Sequence, residues 1–177
     1  AFLQTLTART TWIVKPDGSN FRKLPTGSGF KISPDGKMLA YTSGGQVWTS
    51  SLIDTSVKPQ QLFQSRGSQS QLRWSPDGSM LAFVSSRDDH SYIGIYNFSN
   101  KTVDYTETSV DNDTYPTWSP DGKQLAYLRI PSINNLIPFI PVRENNPWSI
   151  HVFDVQTGKA KELWTAAAGR GSVFLDD

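Results

Sequence analysis

The sequence predicts an all-β fold, a β-propeller of four-stranded antiparallel blades with about three blades plus partial ones, in an incomplete ring. Two observations predict it. The tetrapeptide Ser-Pro-Asp-Gly stands at residues 33–36, 75–78 and 119–122, spacings of 42 and 44 residues. Its flanks recur with it. Phe30-Lys31-Ile32, Leu72-Arg73-Trp74 and Pro116-Thr117-Trp118 precede the turns, and Met38-Leu39-Ala40-Tyr41, Met80-Leu81-Ala82-Phe83 and Gln124-Leu125-Ala126-Tyr127 follow them. Self-similarity at about 40–45 residues marks a radial array of small sheets.

Each turn has a physical reading. Proline presets φ at the first turn position, Ser and Asp bond neighbouring amides, and Gly takes the left-handed conformation that closes the turn. The tetrapeptide therefore joins two antiparallel strands, both expected to be mostly buried. The small Ala40, Ala82 and Ala126 suit a place where neighbouring sheets approach closely. A second hairpin follows each first one. Gln46-Val47-Trp48-Thr49 leads to Pro59–Phe63; Ile93–Phe98 turns at Ser99-Asn100 into Lys101-Thr102-Val103; Ser149–Asp154 turns at Gln156-Thr157-Gly158 into Lys159–Trp164. At the start, Thr11–Val14 turns at Pro16-Asp17-Gly18 into Phe21–Leu24. This gives one partial propeller domain over residues 1–177, with a partial blade at 10–25, blades near 28–64, 70–107 and 114–165, and the next inner strand around Ser172-Val173-Phe174. Propellers close with roughly four to eight blades. The expectation is a portion of a longer propeller, with open sheet edges available for self-association.

Composition narrows the function. The balance of 37% hydrophobic to 19% charged residues is that of a folded domain. A formal net charge of +1, with the basic residues scattered, favours neither nucleic acid nor an anionic membrane as partner. No apolar run reaches membrane-spanning length. With no cysteine, disulfides, thiolate catalysis and Cys-based zinc sites are excluded, and the compartment, cytosol or bacterial periplasm, stays open. The start, Ala1-Phe2-Leu3-Gln4, has neither an initiator methionine nor the features of a signal peptide, which reads as a processed or excised chain.

The pattern W-S-P-D-G-x-x-L-A-[YF], followed by a strand ending in a T-G turn, resembles the TolB-type propeller repeat. It is similar to the N-terminal propellers of the prolyl oligopeptidase and dipeptidyl peptidase family of serine peptidases. Asn146–Gly158, with Glu162-Leu163-Trp164 after it, looks most like bacterial members of that family. The resemblance implies a propeller lying over an α/β-hydrolase domain of the same polypeptide and restricting which peptides enter. The hydrolase nucleophile sits in a G-x-S-x-G elbow, which this chain lacks: Thr26-Gly27-Ser28-Gly29 and Gly169-Arg170-Gly171-Ser172 have the wrong spacing. The adjacent glutamates that bind a substrate amine in dipeptidyl peptidases are missing too. No catalytic residue, metal ligand or cofactor is assigned to this chain.

The most unusual segment is Ile130–Pro147, inserted between the second and third strands of the last blade. Long connections in compact domains are often functional. Ile137, Phe139, Ile140 and Val142 are too apolar for a free loop, and docking on a hydrolase domain is one way to bury them. Arg143 and Glu144 are then placed to contact a peptide's carboxylate or amine. The plainer reading, packing on its own blade or in a subunit contact, is favoured, because loop apolarity marks burial rather than chemistry. Asp88-Asp89-His90 reads as a solvated turn before it reads as a metal site, and His151 as a structural histidine. Trp74 and Trp118 share one slot, held by Ile32 in the first copy, and read as packing between blades. Two functions follow: a peptidase propeller that gates and shapes a peptide chamber, or a TolB-like protein-interaction scaffold. A carbohydrate-active enzyme has little support, since no paired carboxylates stand at matched positions.

Overall fold

The structure is a computed structural model that describes residues 10–19, 21–132 and 147–166. Among these residues the secondary structure is entirely strand and turn. A short hairpin, β1 (Trp12–Ile13) with β2 (Arg22–Lys23), opens the chain. The first blade is β3 (Ser28–Ile32), β4 (Met38–Ser43), β5 (Gln46–Ser51) and β6 (Gln60–Gln61), paired in that order. The second is β7 (Ser68–Trp74), β8 (Met80–Ser86), β9 (Ser91–Asn97) and β10 (Thr102–Tyr105). The third is β11 (Asn112–Trp118), β12 (Gln124–Ile130), β13 (Ser149–Asp154) and β14 (Lys159–Thr165). All pairings within a blade are antiparallel. Among the described residues β1 and β2 pair only with each other, so the strands form an open arc.

The three tetrapeptide turns are built alike. In each, the Ser hydroxyl donates to the Asp carboxylate at 2.6 Å, the Gly amide closes on the Ser carbonyl, and Gly36, Gly78 and Gly122 take φ of 73°, 73° and 70°. The turns also stack. A Cβ at Gly78 would stand 3.5 Å from Pro34 Cδ, and one at Gly122 3.5 Å from Pro76 Cδ. Each turn thus lies on the proline of the one before.

The blades meet through side chains more than backbone. Second and third blades share one parallel bridge, Asn112 with Ser91, and Ser91 Oγ donates to the Asp113 carbonyl. Between the first and second, the Gln69 amide donates to the Gly45 carbonyl at 2.8 Å. The core is correspondingly divided by seam. Ala40 and Val47 pack with Leu72, Leu81 and Phe83, while Ala82, Val84, Ile93 and Ile95 pack with Leu125, Tyr127 and Phe153. Trp74 Nε1 donates to the Lys31 carbonyl at 3.1 Å, and Trp118 Nε1 to the Arg73 carbonyl at 3.0 Å. Both tryptophans therefore join a blade to its predecessor, as their shared slot predicts. Ile32, in that slot of the first blade, is exposed.

The first strands are less buried than expected. Only two residues of β7 and two of β11 are buried, and none of β3. A bulge is the reason. The pairing slips between Ser28 and Lys31, Ser70 and Arg73, and Thr114 and Thr117. At its centre Gly29, Gln71 and Tyr115 have φ of 63°, 50° and 55°. A bulge turns side chains off the sheet face. Gln71 uses the displacement to reach the next bulge, donating to Thr114 Oγ1 and accepting from the Tyr115 amide, both at 2.8 Å.

Candidate functional site: the face of the long connections

Strand alternation sorts the connections onto two ends of the arc. The tetrapeptide turns and the third-to-fourth strand turns share one end. The other carries the second-to-third strand connections (43–46, 86–91 and the segment leading to 147) and the linkers between blades. Chemistry concentrates at this second end.

Its centre is a buried ionic cluster in the third blade. Asp113, on β11, is completely buried and accepts from Arg129 on β12 through two bonds, Nε to Oδ1 at 2.8 Å and Nη2 to Oδ2 at 2.9 Å. The fork of the guanidinium matches the carboxylate, the geometry in which such a pair is strong. Glu107, in the linker from the second blade, takes three neighbours on Oε1: Tyr127 Oη at 2.9 Å, Arg129 Nη1 at 3.0 Å and His151 Nδ1 at 3.0 Å, the last off the line of a hydrogen bond. His151 stacks on Tyr127 with ring centres 5.4 Å apart, and its Nε2 lies 3.0 Å from Ser149 Oγ.

The electrostatics follow from burial. Loss of water pushes the Asp113 carboxyl above its ordinary value, against the pull of Arg129. Burial and the bond to Glu107 push the Tyr127 hydroxyl up. Burial acts to lower Arg129, but its bonds and charge contact with Asp113 outweigh this and hold it above the ordinary range.

Ser149, His151 and Glu107 line up as a nucleophile, base and orienting carboxylate would. The surroundings oppose that chemistry. Ser149 and His151 are buried, and Glu107 is occupied by Tyr127 and Arg129. The arrangement instead ties β11, β12 and β13 to the preceding linker. It also fixes the two strand ends, at Arg129 and Ser149, between which Ile130–Pro147 runs. His151 is thus a structural histidine.

The sequence reading did not assemble this cluster. A signal existed in the repeat. Asp113 and Arg129 are paired across β11 and β12. The same slots hold the paired Gln69 and Ser85 in the second blade. Charge appearing at one copy of an otherwise neutral pair marks the place where that blade departs from the repeat.

The residues singled out in the insert, Ile137, Phe139, Ile140, Val142, Arg143 and Glu144, lie outside the described residues, as does Ser172-Val173-Phe174. Asp88-Asp89-His90 forms the connection 86–91. His90 Nδ1 lies 2.5 Å from Asp89 Oδ1, and Ser132 Oγ donates to the Asp89 carbonyl at 3.1 Å. The described residues hold no group of three metal-capable side chains. Trp12 stacks on Phe21 at 4.7 Å, and Trp148 meets Trp164 at 5.0 Å; Trp12 and Trp164 are exposed.

The same repeat geometry is found in known proteins. A putative TolB from Agrobacterium tumefaciens superposes with a TM-score of 0.62 at 20% identity, covering 90% of this chain and 58% of that one. The β-propeller domain of the Trilobed protease from Pyrococcus furiosus gives 0.60 at 16% identity, over 88% of this chain and 49% of that one. Porphyromonas gingivalis dipeptidyl peptidase 4 gives 0.60 at 16%, over 80% and 26%. The chain thus spans less than two thirds of each of these structures. At such identities the likeness establishes the fold. No curated protein matches the sequence. Residues 8–129 match the family described as the TolB beta propeller domain, PD40. With most of its length matched, its three tetrapeptide repeats included, the chain belongs to the TolB β-propeller domain family.

Proposed function

We propose that this chain is a non-catalytic propeller segment that works by presenting the face of its long connections, and that it gates and shapes a peptide chamber over an α/β-hydrolase domain of the same polypeptide. The observation that carries this is the anchoring of Arg129 and Ser149. A long insert leaves and re-enters the blade at strand ends locked to a buried ionic cluster, and among the described residues no other blade has this cluster. A rigid base under an exceptional connection suits a wall that must hold its position. On this reading Ile137, Phe139, Ile140 and Val142 dock on the hydrolase domain, and Arg143 and Glu144 meet the peptide's ends.

A second reading, a TolB-like scaffold for protein partners, draws support from the family itself and from the likeness to the Agrobacterium protein. One experiment separates them. The complete natural polypeptide is treated with a fluorophosphonate that labels activated serines. Labelling that requires a G-x-S-x-G serine in that polypeptide supports the peptidase reading, and R143A/E144A then raises KM for peptides with little change in kcat. Absence of labelling and of any such elbow overturns it and leaves the scaffold.

A further inference from the structure

A cleft of about 460 Å³ opens on the same end of the arc, between the linker into the second blade and that blade's 86–91 connection, lined by Arg66, Gly67, Arg87, Asp88, Asp89, His90 and Tyr92. Arg87 is half-buried, and its Nη1 is held by neutral acceptors only: the carbonyls of Arg66 and Ser86 and the hydroxyl of Ser85. Among the described residues neither Nη2 nor Nε has an acceptor, and neither Arg87 nor Arg66 has a carboxylate partner. The Arg66 side chain stands exposed beside it. Asp88 and Asp89 are the acids of the same lining, with Asp89 Oδ1 2.5 Å from His90 Nδ1. The backbone is shaped around this guanidinium. Gly67 has φ of 68°, and a Cβ there would lie 2.9 Å from Arg87 Nη1 as well as striking the Ser86 carbonyl. Tyr92, with His90 edge-on at 4.7 Å, supplies an aromatic wall.

A half-buried charge fixed by neutral groups, with donors unspent and a second guanidinium adjacent, is pre-organised for an anion. We propose that this cleft is a carboxylate-binding site for a peptide, taking its C-terminus or an acidic side chain on Arg87 and Arg66 with the adjoining residue against Tyr92. The proposal stands whether or not a hydrolase domain accompanies the chain.

The test is a titration of the 177-residue chain, followed by the backbone amide signals of Gly67, Arg87 and His90. Three probes are used: acetyl-Ala-Ala with a free carboxylate, the same peptide as its amide, and acetyl-aspartate amide, which offers only a side-chain carboxylate. Saturable shifts are expected with at least one carboxylate probe, weakening as salt is raised, and none with the amide of acetyl-Ala-Ala. The carboxylate probe that binds identifies the source. R87Q is expected to weaken binding by about tenfold or more, the loss of one charge-assisted contact. D88N should tighten it. R66Q, which removes a side chain with no hydrogen bond, guards against a misfolded R87Q and should also weaken binding. Equal shifts from acid and amide, no saturable shift with either carboxylate, or unaltered binding in folded R87Q and R66Q would each overturn the proposal.

Discussion

Arg129 holds the fully buried carboxylate of Asp113 through two parallel bonds, at 2.8 and 2.9 Å, in a blade whose neighbour uses Gln69 and Ser85 at the same slots. The third blade therefore depends on a charge pair where the second does not. Removing one partner strands the other charge in the interior. R129M should lower unfolding free energy by about 3–5 kcal/mol in urea titrations. The double change D113Q/R129S, which installs the second blade's pair, should cost less than R129M alone. A double variant at least as damaged as the single one would mean that the ion pair is not the source of the loss.

The turn aspartates give the fold an acid limit. Bonds from Ser33, Ser75 and Ser119 hold Asp35, Asp77 and Asp121 below their ordinary value of 3.8. A depressed folded value means that the unfolded chain takes up protons first as pH falls. The stability from these groups is present above 3.8 and is lost as pH drops through the depressed values. Asp113, shifted upward, acts in the opposite sense. D35N/D77N/D121N should lose stability near neutrality and show a flatter decline below pH 4. Urea midpoints across pH 2.5–7 measure this, and parallel curves for variant and parent would refute it.

The seam tryptophans should matter through one atom each. W118F keeps most of the ring contact but removes the Nε1 donor to the Arg73 carbonyl, and W74F does the same for Lys31. Each should cost about 1 kcal/mol for the bond, more if ring packing also loosens. The two costs should depart from simple addition in W74F/W118F, because Trp118 bonds the carbonyl of Arg73, the residue next to Trp74. Thermal or urea unfolding checks both claims.

The fold was legible because its signals are local. A turn of Ser, Pro, Asp and Gly has its geometry within four residues, and copying it three times at one period fixed strand order and blade size together. The bulges were not legible. Only Gly29 among the three central residues is a natural left-handed residue, and Gln71 and Tyr115 adopt that conformation under the constraint of neighbouring blades. The ionic cluster was hidden for a similar reason. Its members, Glu107, Asp113, Tyr127, Arg129, Ser149 and His151, are spread over three strands and a linker and meet only after the blade has formed. The setting of Arg87 was not legible either, because it rests on bonds from Nη1 to the Arg66 and Ser86 carbonyls and the Ser85 hydroxyl that form only once the strands have paired.

The stacking of Gly78 on Pro34 and of Gly122 on Pro76 has an evolutionary consequence. With Trp74 and Trp118 each reaching one carbonyl of the blade before, both seams are written in the same few positions, so a blade behaves as a cassette. Duplicating or deleting one such unit demands no newly invented interface. The third blade is the exception to that freedom. Its Asp113 is committed to Arg129 and Arg129 to Glu107 in the preceding linker, so this cassette cannot be exchanged for a neighbour without dismantling the base of the long insert.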